Sequence, residues 1–129
     1  MLRIRTETTL DITVLHCAGR IVIGEETVSL RDAIASLATS RIIILDLAEV
    51  HRIDAAGLGA LLAARQWTLA RTKSLKLMNV TRDVERLLRL THLYTVFEIC
   101  SVGEMLELVY FLGSAPASLP LTYQWASLG

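Results

Sequence analysis

The spacing of apolar side chains along the chain switches repeatedly between two residues and three to four, and each switch marks an element. Leu2-Arg3-Ile4-Arg5-Thr6 alternates with period two, the pattern of a half-exposed strand. Residues 8–11 supply a turn, and residues 12–18 alternate again, so the two strands are expected to form a hairpin that Gly19 ends. From Glu25 the period lengthens. Leu30, Ala33, Ile34 and Leu37 make one stripe of an amphipathic helix, with Glu25 and Glu26 at the end where negative charge is favoured. Residues 41–47 predict a strand whose Ile42-Ile43-Ile44-Leu45 run has the length and branching of one buried on both faces.

A turn is expected over 49–56, then a helix over 57–71 that buries Leu58, Leu61, Leu62 and Leu69. Asp54 falls at the N-cap position, where its carboxylate would accept the N–H groups of Ala56 and Gly57 and oppose the helix dipole. Gly57 and Gly59 carry no Cβ, which makes the helix start a flat patch of bare backbone suited to a partner protein or an anion. On this reading a bulky residue at position 57 blocks a partner and leaves the fold intact. A fourth strand is expected over 75–78, then a helix capped within 79–81 that turns Val84, Leu87 and Leu88 inward. The last strand covers 96–100. Ser101 caps a fourth helix that buries Val102, Met105, Leu106, Val109 and Leu112. This order, β-β-α-β-α-β-α-β-α, predicts an α/β domain with a mainly parallel or mixed sheet covered by helices.

Composition narrows the function classes. A length of 129 residues suits one domain, and 53% hydrophobic residues with a mean hydropathy of +0.48 raise the question of a membrane. No stretch approaches the roughly 18 uninterrupted apolar residues of a spanning helix, and residues 1–9 lack a signal-peptide core. A cytoplasmic protein without membrane insertion is expected. Thirteen basic residues balance 13 acidic ones and only 5% are aromatic, so neither a basic footprint nor stacking platforms point to nucleic acid. Cys17 and Cys100 stand far apart and read as buried core residues. His16 falls on a strand, His51 beside the Asp54 turn and His92 after the third helix; none makes a metal-binding spacing. With no phosphate-binding glycine loop and no nucleophile elbow, no catalytic residue, metal or cofactor is expected. The domain is assigned to 1–112. Residues 113–129, GSAPASLPLTYQWASLG, hold two prolines and no charge, then alternate Leu119, Leu121, Tyr123 and Trp125. They read as a linker-like tail, loose or laid as an extended anchor on this domain, a second copy or a partner.

The run Asp46-Leu47, a short linker, Ile53-Asp54-x-x-Gly57-Leu58-Gly59 and Leu61-Leu62 resembles the signature of the STAS domain family, the sulfate transporter and anti-sigma factor antagonist fold. Gly19, Leu77, Asn79, Val84, Leu87, Leu88, Val96, Phe97 and Ile99 extend the resemblance over roughly 2–112. It implies a four- or five-stranded mixed sheet with about four helices, mostly on one face, in a non-catalytic regulator. It further implies that a GHKL-type, kinase-like anti-sigma factor docks on His51, Arg52, Asp54, Ala55, Ala56, Gly57, Leu58 and Gly59. Phosphorylatable antagonists carry serine or threonine between the aspartate and the glycine. Here Ala55 and Ala56 stand in that place, so the usual phosphosite is lost, and Thr81 is the candidate substitute beside its N-cap role. As the alternative, the resemblance allows a cytoplasmic STAS subunit of a membrane transporter complex, or a scaffold, homodimeric or ligand-sensing module.

Overall fold

The opening alternation forms the expected hairpin: strand β1 (Leu2–Thr9) runs antiparallel to β2 (Ile12–Ile21), with Arg3 opposite Ala18 and Arg5 opposite His16. The computed structural model describes residues 2–113. After the hairpin come α1 (Glu25–Ala35), β3 (Ile42–Ile53), α2 (Ala55–Ala70), β4 (Ser74–Met78), α3 (Arg82–Leu90), β5 (Glu98–Cys100) and α4 (Val102–Gly113). The five strands lie side by side in chain order, and β2 to β5 are parallel. The α/β class and the mixed five-stranded sheet with four helices are as expected. The expectations for the tail beyond Gly113 and for the Leu112 side chain fall outside the described residues.

Strand alternation divides the Ile42-Ile43-Ile44-Leu45 run between two cores. Ile43 and Leu45 join Leu15, Cys17, Leu75 and Leu77 on the face covered by Leu30 and Ile34 of α1, Leu58 and Leu61 of α2, and Val84 and Leu88 of α3. Ile44 turns the other way and joins Ile12, Val14, Met78 and Cys100 beneath Met105, Leu108 and Val109 of α4. A strand clad on both sides needs apolar residues at every position, and this run supplies them.

Several expected boundaries move: β5 starts at Glu98 and not at 96, α2 starts at Ala55 and not at 57, and two further shifts have a visible cause. Gly19 does not end β2; its φ of 119° lies where the β2–β3 register shifts, and the strand continues to Ile21. Only glycine takes that backbone conformation freely, so it carries the strand past the irregularity. The turn expected over 49–56 is strand as far as Ile53, because the prolonged β2 gives it a partner: Arg20 pairs with Arg52 and Ile21 with Ile53. Two burial expectations also change. Leu69 is 52% exposed, and Thr68 is buried instead, its hydroxyl satisfied by the Arg65 carbonyl. In α4, Val102 and Leu106 are exposed while Tyr110 is buried. That helix is apolar around most of its circumference, so periodicity alone does not fix its inner stripe.

Lys73, just before β4, donates from Nζ to the carbonyls of Leu37, Ala38 and Ser40, tying the α1–β3 connection to the sheet. Replacing it by methionine keeps the aliphatic stem and removes three charge-assisted bonds. Lys73→Met is expected to lower the unfolding free energy by about 1–2 kcal/mol in urea titration. An unchanged midpoint would mean that water satisfies the three carbonyls equally well.

Candidate functional site

The length of β3 decides where the site stands. By pairing with the end of β2 as far as Ile53, it delivers Asp54 beside the loop that follows β2. Asp54 is extended and caps α2: Oδ1 accepts from the Gly57 N–H at 2.8 Å and Oδ2 from the Ile23 N–H at 3.1 Å. The Gly57 bond is the expected cap. The Ile23 bond links residues 31 apart, and nothing in the local pattern announces it. The N–H groups of Gly57 and Ile23, with that of Ala56 adding less, hold the Asp54 carboxyl below its ordinary value.

This depression has a defined sign in acid. A carboxylate favoured in the folded state contributes its full stability above the unfolded-state value, about 4, and loses it as pH falls through the lower folded value. Asp54→Asn is therefore expected to show a smaller drop in thermal midpoint on acidification below about pH 4 than the unaltered protein. Parallel midpoint curves for the two proteins would contradict the capping role.

Of the eight residues expected at the surface, the structure exposes only part. His51, Arg52, Ala55 and Gly59 are exposed and Ala56 is half-buried. Leu58 turns into the core at 6% exposure, and Gly57 is buried. A Cβ at Gly57 would stand 1.9 Å from the Ile21 carbonyl oxygen and 2.9 Å from Ile53 Cγ1. The expectation that a bulky residue there spares the fold is therefore corrected: the backbone of α2 is pressed against the end of β2. Gly59 behaves differently. A Cβ there meets nothing within 4 Å, so Gly59 is the open glycine of the pair.

From Ala56 and Gly59 an apolar groove of about 440 Å³ runs between α1 and α2, walled by Val28, Ala60, Ala63 and Trp67, with Arg31 at its margin. The spacing of Ala56, Gly59, Ala60, Ala63 and Trp67 follows one helical face. That signal was present in the sequence, but alanine richness reads just as well as close packing on a sheet. Ile23, 75% exposed, adds an apolar side chain beside the Asp54 cap.

Thr81 occupies the N-cap of α3 without a side-chain cap bond; its hydroxyl donates to the Val50 carbonyl at 2.8 Å. The expected capping role is thus corrected to a tie between α3 and β3. Ser101 does cap α4, accepting from the Glu104 N–H at 3.1 Å. Cys17 and Cys100 are buried, and burial with the nearby Asp46 charge pushes the Cys17 thiol up to about 12. Among the described residues no group of three or more His, Cys, Asp or Glu is placed to hold a metal ion, and no helix is long and apolar enough to cross a membrane.

Comparison with known proteins matches residues 3–104 to the STAS domain. No curated protein matches the sequence. Among solved structures, an anti-sigma factor antagonist from Mycobacterium paratuberculosis superposes with a TM-score of 0.69 at 20% identity, over 85% of this chain and 95% of that one. The phosphorylated form of the Bacillus cell fate determinant SpoIIAA gives 0.65 at 16% identity, over 83% and 99%. A sulfate transporter family protein from Wolinella succinogenes gives 0.63 at 18% identity, over 80% and 88%.

Proposed function

This chain belongs to the STAS domain family, and from that premise we propose that it is a non-catalytic regulator of the anti-sigma factor antagonist kind, docking a GHKL-type anti-sigma factor in the cytoplasm. The observation that carries the reading is the start of α2. Exposed Arg52, Ala55 and Gly59 surround a helix terminus whose Gly57 N–H is already committed to Asp54. Such a surface is rigid, because the cap and the Gly57 contact hold the helix start against β2. Rigidity lowers the ordering cost of docking. The small side chains of Ala55, Ala56 and Gly59 let a partner backbone approach closely, and His51 and Arg52 border them with polar and cationic groups.

Chemistry at this surface is binding, not turnover. A phosphoryl group placed between Asp54 and Gly57 would add close to two negative charges beside the Asp54 carboxylate. Ala55 and Ala56 have no hydroxyl to receive one. The surface therefore stays in its unmodified, binding state, and control falls to the partner or to another part of the complex.

Affinity capture with the tagged protein from lysate of its source organism tests this reading, with the captured proteins identified by mass spectrometry. A GHKL-type anti-sigma factor among them is the expected result. Capture of transporter subunits without any such ATPase would overturn it in favour of the transporter-docking role.

A further inference from the structure

The sheet face opposite α1, α2 and α3 is covered by α4 only over Ile12, Val14, Ile44, Met78 and Cys100. Toward the far ends of β2 and β3 the same face becomes polar, and two rows cross it. Arg5, His16 and Asp46 are cross-strand partners in one row; Arg3, Ala18 and Glu49 are partners in the next. Ala18 is small between two long side chains, and a cavity of about 400 Å³ opens there, bounded by Arg3, Arg5, His16, Asp46 and Glu49.

His16 is held firmly in this cavity. Its Nδ1 lies 2.7 Å from Asp46 Oδ2, while Asp46 Oδ1 accepts from Asn79 Nδ2 at 3.0 Å and from the Ala48 N–H at 3.1 Å. Burial pushes the Asp46 carboxyl up, but the donors Asn79, His16 and Ala48 outweigh it and keep the group below its ordinary value. An ionised Asp46 fixes a proton on Nδ1 and leaves Nε2 as the free corner of the ring. That atom is shielded from solvent and has no hydrogen-bond partner among the described residues. The carboxylate oxygen Glu7 Oε1 stands 3.7 Å away, beyond hydrogen-bond reach. The guanidinium groups of Arg3 and Arg5 likewise have no ion pair or hydrogen bond among the described residues. A buried ring nitrogen without a partner beside two uncommitted cations is an unfilled polar site.

We propose that this cavity binds a small carboxylate with a hydrogen-bond donor at its other end, the chemistry of an amino acid or a hydroxy acid. The carboxylate lies between Arg3, Arg5 and His16 Nε2, which takes up a proton to donate to it. Its planar pair of oxygens matches the guanidinium fork. Glu49, across Ala18, accepts from the ligand's ammonium or hydroxyl group. Glu7, Asp46 and Glu49 together disfavour a doubly charged phosphate, so the ligand carries one negative group. Glu7, whose side chain is 53% exposed, stands near Nε2 and gives way when the ligand enters. This surface is separate from the start of α2, so the site does not depend on the docking function.

Nuclear magnetic resonance of the protein labelled with nitrogen-15 in its histidines tests the site, titrating with L-alanine, lactate and, as a probe without a carboxylate, ethanolamine. Alanine or lactate is expected to move the His16 Nε2 signal at millimolar concentration, and ethanolamine to leave it in place. Arg5→Gln, an exposed change, is expected to weaken binding by about tenfold or more, the usual worth of a charge-assisted bond. Glu7→Gln removes the competing charge and is expected to tighten it. A His16 signal that responds to neither acid, that responds equally to ethanolamine, or that titrates identically in Arg5→Gln or Glu7→Gln would overturn the proposal.

Discussion

Gly57→Ala is expected to cost about 3 kcal/mol or more of folding stability, while Gly59→Ala, two residues on, is expected to gain about 0.5–1 kcal/mol. The difference lies wholly in what a single methyl group would meet. At position 57 the new carbon falls 1.9 Å from the Ile21 carbonyl oxygen and 2.8 Å from its carbon. Both are backbone atoms of a paired strand, so neither yields as the tip of a flexible side chain would. Relief requires lifting the first turn of α2 from β2, which also breaks the bond from the Gly57 N–H to Asp54. At position 59 the methyl enters open space and replaces the weakest non-proline helix former with the best. Urea unfolding of the two variants measures the contrast, and similar midpoints would refute the packing account of the helix start.

On the docking proposed above, Ala56→Ser is expected to bring partner binding under the control of phosphorylation. Ala56 is half-buried at the mouth of the α1–α2 groove, one residue before Gly57. On the proposed docking, a hydroxyl there would be offered to the bound kinase. Once modified, the site holds close to two extra negative charges beside Asp54, whose own charge already uses the N–H groups of Gly57 and Ile23. With those two donors taken, the added charge stands against the Asp54 carboxylate, and affinity for the kinase is expected to fall by about 100-fold. Intact-mass measurement after incubation with the captured kinase and ATP should show one added phosphate on the variant and none on the unaltered protein. A phosphate on the unaltered protein, at Thr81 for example, would show that control never left this domain.

Structure decided by neighbours in the chain is legible in the sequence. The α1 stripe of Leu30 and Ile34, the Asp54 cap, the Ser101 cap and the doubly buried β3 run are all local patterns, and all are present. Structure decided by a distant partner is not legible there. Glu49, His51 and Arg52 look like a turn because they are polar, and only the continuation of β2 past Gly19 makes them strand. Gly57 looked like exposed backbone because a missing side chain is equally consistent with open space and with close approach; Ile21, thirty-six residues earlier, settles it. His16 reads as an ordinary strand residue, since its partner Asp46 lies on β3 and the donor Asn79 just after β4.

A regulatory partner is proposed to dock on the exposed start of α2. Isothermal titration of the purified anti-sigma factor against the unaltered protein and Gly59→Arg tests it most directly, since the arginine enters open space and leaves the core untouched. The account predicts affinity weakened by about 100-fold or more with the unfolding midpoint preserved. Equal affinity for the two proteins would contradict it and move the docking surface elsewhere on the domain.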